Sequence, residues 1–218
     1  MKIFFTLLVV ATGHLLYAQS GGNIIPHVSV DFDLGSSFLT ARPNDVDQQF
    51  SGYTKIGVSY RFTPGKKRHA INTGVGLEFD RHLTDGHFVK NGAKYMFTQT
   101  PADYKLNELS ITYLNVPLQY QYWQRYQAIS FGPVFGYQLA ATANYKINDT
   151  KYREDAPIEN KFRWGLSFEM LTIPARWSGR KFAPLFGCGF YYQVSDLVST
   201  GSSFNPLTAY LRFGWAFK

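Results

Sequence analysis

The chain has 218 residues, enough for one domain of ordinary size, and carries 22 Lys and Arg against 15 Asp and Glu, a net charge of +7. Its one cysteine, Cys188, excludes an intrachain disulfide and a cysteine zinc site. The basic residues are not laid along one element beside base-stacking aromatics, which excludes a nucleic-acid partner. An aromatic fraction of 17%, 19 glycines and the lack of any helix-period stripe point to an all-β protein.

Lys2, the apolar run Ile3 to Ala11 and the small residue ending Leu16-Tyr17-Ala18 read as a signal peptide over residues 1–18. Residues 19–218 are left as one domain. The competing reading, a membrane anchor, meets a run that is short and interrupted by Gly13-His14. No later segment has the 18 or more uninterrupted apolar residues of a transmembrane helix, so a membrane-spanning chain would have to span with strands.

The first predicted strand, roughly His27 to Phe38, sets Val28, Val30, Phe32 and Leu34 against Ser29, Asp31, Asp33 and Gly35. Alternation with period 2 gives a strand one apolar and one polar face. A polar connection, Arg42 to Gly52, leads to the second strand, Thr54 to Phe62, where Ile56, Val58 and Tyr60 oppose Lys55, Gly57, Ser59 and Arg61. The tight basic turn Pro64-Gly65-Lys66-Lys67-Arg68 precedes the third, Ile71 to Arg81, which sets Val75, Leu77 and Phe79 against Gly74, Gly76, Glu78 and Asp80. Residues 83–106 form the longest stretch without clear alternation.

Leu109 to Tyr113 then alternates in the opposite parity to the fourth strand, Leu114 to Tyr122, which predicts a β-bulge at Tyr113-Leu114. After the turn Gln124-Arg125-Tyr126, the fifth strand runs from Ile129 to Tyr145. Ile129, Phe131, Phe135 and Leu139 carry its bulk, and Ser130, Gly132, Gly136, Gln138 and Thr142 lie between. A charged loop, Asn148 to Asn160, separates it from the sixth strand, Phe162 to Met170, with Arg163, Gly165, Ser167 and Glu169 on its polar side. A basic link, Arg176 to Lys181, leads to the seventh, Phe186 to Val194; Cys188 shares the apolar parity of Phe186 and Phe190 and reads as a small apolar residue. The eighth strand, Leu207 to Phe217, opposes Leu211, Phe213 and Trp215 to Tyr210, Arg212 and Gly214.

Two of these strands bear a family likeness. Tyr113-Leu114-Asn115-Val116-Pro117-Leu118 followed by Gly132-Pro133-Val134-Phe135-Gly136-Tyr137 resembles the central hairpin of PorT-like outer-membrane β-barrels, and Tyr192 to Leu197 continues the likeness. Members of that family are small barrels of Gram-negative cell envelopes, and its namesake belongs to the type IX protein secretion machinery. The resemblance implies an envelope barrel with a part in secretion or assembly. The ending Phe213-Gly214-Trp215-Ala216-Phe217-Lys218 also resembles the C-terminal signal of proteins handed to the barrel-insertion machinery.

The residues lead to the same fold class: an all-β, eight-stranded antiparallel up-and-down transmembrane β-barrel with its lumen filled by side chains. Connections after strands two, four and six are short and the others longer on average, the outer-membrane pattern that puts both termini in the periplasm. A soluble lipocalin-like barrel has the same period with its apolar side inward. The glycines of the polar face decide against it, because a narrow eight-stranded lumen needs small residues and a soluble surface does not. Arg81 shares the outward parity, at a strand end where its charge is tolerated.

Inward parity collects Asp31, Asp33, Glu78, Asp80 and Glu169 with Lys55, Arg61, Arg163 and Arg212, expected to form a structural ion-pair network with Arg212 beside Asp31 or Asp33. Lys66, Lys67, Arg68, Arg125, Arg176, Arg180 and Lys181 fall in the short turns as a basic periplasmic rim. Its expected partners are the phosphates of outer-membrane lipids, or an acidic periplasmic or envelope protein.

The function expected is a non-enzymatic envelope scaffold or assembly component of the outer membrane, with no cofactor and no metal. One alternative is a lipid A-modifying enzyme drawing on His82, Asp85 and His87 in one loop and Ser202 and Ser203 in another. A narrow ion or solute channel is the other, opposed by a lumen full of side chains.

Overall fold

The computed structural model of the protein describes residues 25–41, 48–63, 68–91, 94–99, 107–147, 150–156, 158, 160–177, 180–195 and 205–217. The expected signal peptide lies outside them, as do Lys66, Lys67, Ser202 and Ser203.

The strands are β1 (Val28–Ala41), β2 (Gln48–Phe62), β3 (His69–Thr84), β4 (Gly86–Asn91), β5 (Lys94–Gln99) and β6 (Asn107–Gln124). They continue as β7 (Gln127–Ile147), β8 (Thr150–Asp155), β9 (Phe162–Thr172), β10 (Phe182–Gln193) and β11 (Asn205–Phe217). Eight of them, all but β4, β5 and β8, pair antiparallel in chain order, and β11 returns to β1 to close a barrel. The register climbs as it goes round. It passes from Val28 through Tyr60, Thr73 and Leu118, then Leu166, Tyr192 and Leu207, to Phe38, ten residues further along β1. A stagger of that size over eight strands tilts them about 40° and leaves an interior just wide enough for side chains.

Alternation decides which way each wall residue points. On β9 the even-numbered Phe162, Trp164, Leu166 and Phe168 are exposed while Arg163, Gly165, Ser167 and Glu169 are buried. The same inversion runs round the barrel, so large apolar side chains cover the outside and the polar ones fill the inside. Glycine opens the room for bulky inward side chains. A Cβ on Gly165 would stand 2.6 Å from the Tyr191 ring, and one on Gly189 would stand 2.7 Å from that of Tyr210.

Several sequence expectations are corrected. Strand β2 starts at Gln48, inside the expected polar connection: Gln48 Nε2 donates to the Ser37 carbonyl at 2.7 Å and its Oε1 accepts from the Leu39 amide at 2.5 Å, ties that need no apolar pattern. Within 83–106 the chain forms the hairpin β4–β5, and the charged loop after β7 contains β8, paired along Thr142 to Ile147. The predicted bulge at Tyr113-Leu114 is absent from β6. Every odd residue there from Asn107 to Trp123 is buried, so the parity never switches; the interior changes chemistry instead, from Leu109, Ile111 and Tyr113 to Asn115 and Gln119. The extra residue sits on β7, where Thr112 pairs Ala140 and Tyr113 pairs Gln138. Leu139 and Ala140 both face out, and beyond them Ala141 and Ala143, not Thr142, turn inward.

Candidate functional site

The lumen is built in five layers. At the end that holds the N-terminal start of β1, an apolar lid joins Trp123, Leu171 and Leu185 to four inward alanines, to Ile25 just before β1 and to Ile173 just after β9. Trp177, in the 3-10 turn Ala175–Trp177, packs against it. Above the lid Arg61 donates to Gln121 Oε1 and to Ser29 Oγ, each at 3.0 Å, and its guanidinium lies 5.9 Å from the Trp123 ring. Ser29 and Ser59 both donate to Asp31 Oδ2, at 3.0 and 2.8 Å.

Next to this, Arg212 clamps Asp33 with two bonds of 2.7 and 2.8 Å and reaches Glu169 at 2.7 Å. Tyr210 donates to the other Glu169 oxygen at 2.7 Å, and the Lys55 ammonium stands 3.8 Å from Asp33. Arg212 therefore meets Asp33 across the β1–β11 seam, where the register pairs the two residues directly. Buried carboxylates are tolerated here because a bidentate guanidinium and a phenol occupy their lone pairs.

A mostly aromatic middle layer of Tyr53, Tyr191, Tyr210 and Val134 separates this cluster from a second one, with the Tyr53 and Tyr210 rings stacked at 5.5 Å. There Arg163 pairs with Glu78, with Asp80 at 3.2 Å and with the Asn115 carbonyl oxygen at 3.1 Å, while Asn115 donates to Glu78. Its guanidinium lies 3.5 Å from the centroid of the Tyr113 ring. At the far end a second apolar lid of Leu109, Ile111, Tyr113, Ala141 and Ala143 is completed by Ala156 and Ile158, from the chain that follows β8. The Ala156 amide donates to the Ala141 carbonyl at 3.0 Å, which draws that segment over the mouth.

All nine predicted lumen residues thus lie inside, arranged as two clusters divided by tyrosines rather than as one plug. The lids are what the sequence reading missed. Among the basic-rim residues, Arg68, Arg176, Arg180 and Lys181 are exposed and Arg125 is half-buried, all at the end with the short turns. No Asp or Glu stands among the described residues of that rim.

The residues weighed for lipid A chemistry are not brought together. His82 is not in a loop but on β3, fully buried in the lumen. Asp85 lies between β3 and β4, half-buried, and the side chain of His87 and both serines lie outside the described residues. Among the described residues no three His, Cys, Asp or Glu converge as a metal ion would require.

No protein-family model matches the chain, and no curated protein matches its sequence. Among solved structures, the chain is similar to Ail, the attachment invasion locus protein of Yersinia pestis, solved with the heparin analogue sucrose octasulfate. That match is 10% identical, covers 88% of this chain and 96% of that one, and has a TM-score of 0.37. The chain is also similar to the translocator domain of the autotransporter NalP from Neisseria meningitidis, at 8% identity, covering 99% and 95% of the two chains with a TM-score of 0.32. The closed eight-stranded barrel rests on the chain's own register and polarity.

Proposed function

We propose that the protein is an integral outer-membrane barrel that acts as a non-enzymatic, non-conducting scaffold or assembly component of a Gram-negative envelope. One observation carries this reading: the wall is apolar outside while the lumen is polar, ion-paired and shut at both ends by apolar lids. A barrel of that polarity is stable when hydrocarbon surrounds it. The leader expected over residues 1–18 and the aromatic ending of β11 fit delivery to the outer membrane. Short turns with basic residues on one side and the hairpins on the other fit a periplasmic placement of both termini.

The narrower assignment, a PorT-like part in assembly or secretion, rests on the motif shared by β6 and β7. Asn115 and Gly136 of that motif are register partners, and a Cβ on Gly136 would stand 2.6 Å from Asn115 Oδ1 and 2.7 Å from Arg163 Nε. The motif therefore builds the second ion-pair cluster, a role in folding. Its bearing on secretion comes from the resemblance alone.

The test is to purify the processed chain from envelopes. It is expected to need detergent, to migrate faster on a gel unboiled than boiled, and to give no steps of conductance in planar bilayers. A folded, monomeric chain in detergent-free buffer would overturn the membrane reading. Steady unitary conductance would make it a channel, and lipid A altered in mass only when the chain is present would make it an enzyme.

A further inference from the structure

We propose that the turn between β9 and β10 is a binding site for the headgroup of an anionic phospholipid, an inference that rests on the membrane reading above. Three cations, Arg176, Arg180 and Lys181, are exposed there. Two of them are held on one anchor: the guanidinium carbons of Arg180 and Arg176 lie 4.5 and 6.0 Å from the centroid of the Trp177 ring. Trp177 packs in turn on the lower lid; its amide donates to the Pro174 carbonyl at 2.8 Å, and the Arg180 amide donates to the Trp177 carbonyl at 3.0 Å. Cation–π contact thereby draws Arg180 closely, and Arg176 more loosely, toward the barrel's foot.

Beside them the outer wall is aromatic. Phe182 stacks on Trp215 at 4.4 Å and meets Phe217 at 5.2 Å, all three exposed. The register of β10 with β9 begins only at Phe186, so Phe182 to Leu185 have strand pairing to β11 alone, beside the turn that carries the cations. A phospholipid uses both parts of this arrangement. Its phosphate meets the guanidinium pair, and its acyl chain runs up the Phe182–Trp215 wall. The carboxylates of an acidic protein would use the cations and leave the aromatic wall idle, which is why the lipid is favoured.

The experiment is native mass spectrometry of the full processed chain released from detergent, titrated with phosphatidylglycerol or with phosphatidylcholine, for the native chain, for Arg176→Gln/Arg180→Gln and for Arg68→Gln on the far side of the rim. Faster migration of the unboiled sample verifies that each variant is folded. Phosphatidylglycerol should be retained preferentially, with retention falling about five-fold for each cation removed from the turn and staying near native for Arg68→Gln. Equal retention of the two lipids, or no loss in the double variant, would overturn the site while leaving the barrel reading intact. Displacement of phosphatidylglycerol by a short polyglutamate peptide at equal concentration would overturn it too, in favour of an acidic protein. A chain that never enters detergent micelles would sink the underlying membrane reading instead.

Discussion

Leu211 and Arg212 are neighbours on β11, yet they belong to opposite regions of the molecule. Leu211 is 52% exposed on the outer wall, and Arg212 is 3% exposed in the lumen, clamped between Asp33 and Glu169. A water-soluble protein would place them the other way round. The difference shows that two solvents act on this chain. One is hydrocarbon outside, where no backbone group may go unpaired, so the strands must close into a barrel. The other is a water-poor interior, where every charge needs a partner of its own.

The sharpest way to break the comparison is from the inside. Arg212→Met removes the partner of two buried carboxylates and should destabilise the barrel by about 3–5 kcal/mol, read from the urea midpoint of tryptophan fluorescence in detergent. If the midpoint hardly moved, the lumen would be wet enough to solvate Asp33 and Glu169 unaided. The converse change, Leu211→Arg, tests the outside. In a bilayer it should cost roughly 2–4 kcal/mol, falling toward zero when the same variant is unfolded from a detergent that lets the side chain reach water. A soluble barrel would tolerate it in either setting.

A third change probes the boundary between lumen and wall. Gly165→Ala would put a methyl 2.6 Å from the Tyr191 ring and 2.3 Å from the Tyr192 carbonyl, so ring and strand must shift. About 1–3 kcal/mol should be lost, and a second change of Tyr191→Leu should recover part of it, measured by the same unfolding. Without that recovery, the glycine would be answering to the backbone contact and not to the ring.

Much of this was legible beforehand because period-2 alternation marks parity directly. Arg212 could be placed beside Asp31 or Asp33 from closure alone, since the first and last strands of a barrel are neighbours, and the register picks Asp33. The lids were not legible. Leu109, Ile111, Ala141 and Ala143 are the same kinds of residue that elsewhere face lipid, and alternation cannot tell an apolar side chain turned inward from one turned outward. The change of chemistry along β6 therefore looked like a change of parity. The true bulge fell in Leu139-Ala140-Ala141, where consecutive apolar residues hide the slip. All six residues of β8 are exposed. With the same solvent on both of its faces, nothing selects an alternating pattern there. His82 reads as a loop residue because β3 runs three residues past its expected end at Arg81, to Thr84.

That upper margin is where the contrast between inside and outside should fade, and one ion pair tests how quickly. Arg81 and Glu108 both point outward near the ends of β3 and β6, with the Arg81 Nη2 2.6 Å from Glu108 Oε2, and Ser110 donates to the other oxygen at 2.7 Å. The Arg81 side chain is 60% exposed, so if it stands in water the pair is worth little beyond about 1 kcal/mol. Glu108→Gln should then lower stability by less than that, and raising the salt concentration should erase even this difference. Were the pair still inside hydrocarbon, the same variant would strand a guanidinium in lipid and cost as much as Leu211→Arg, with no response to salt. Unfolding the native chain and Glu108→Gln side by side in bilayers, at low and high salt, therefore places the upper edge of the apolar band above or below these two residues.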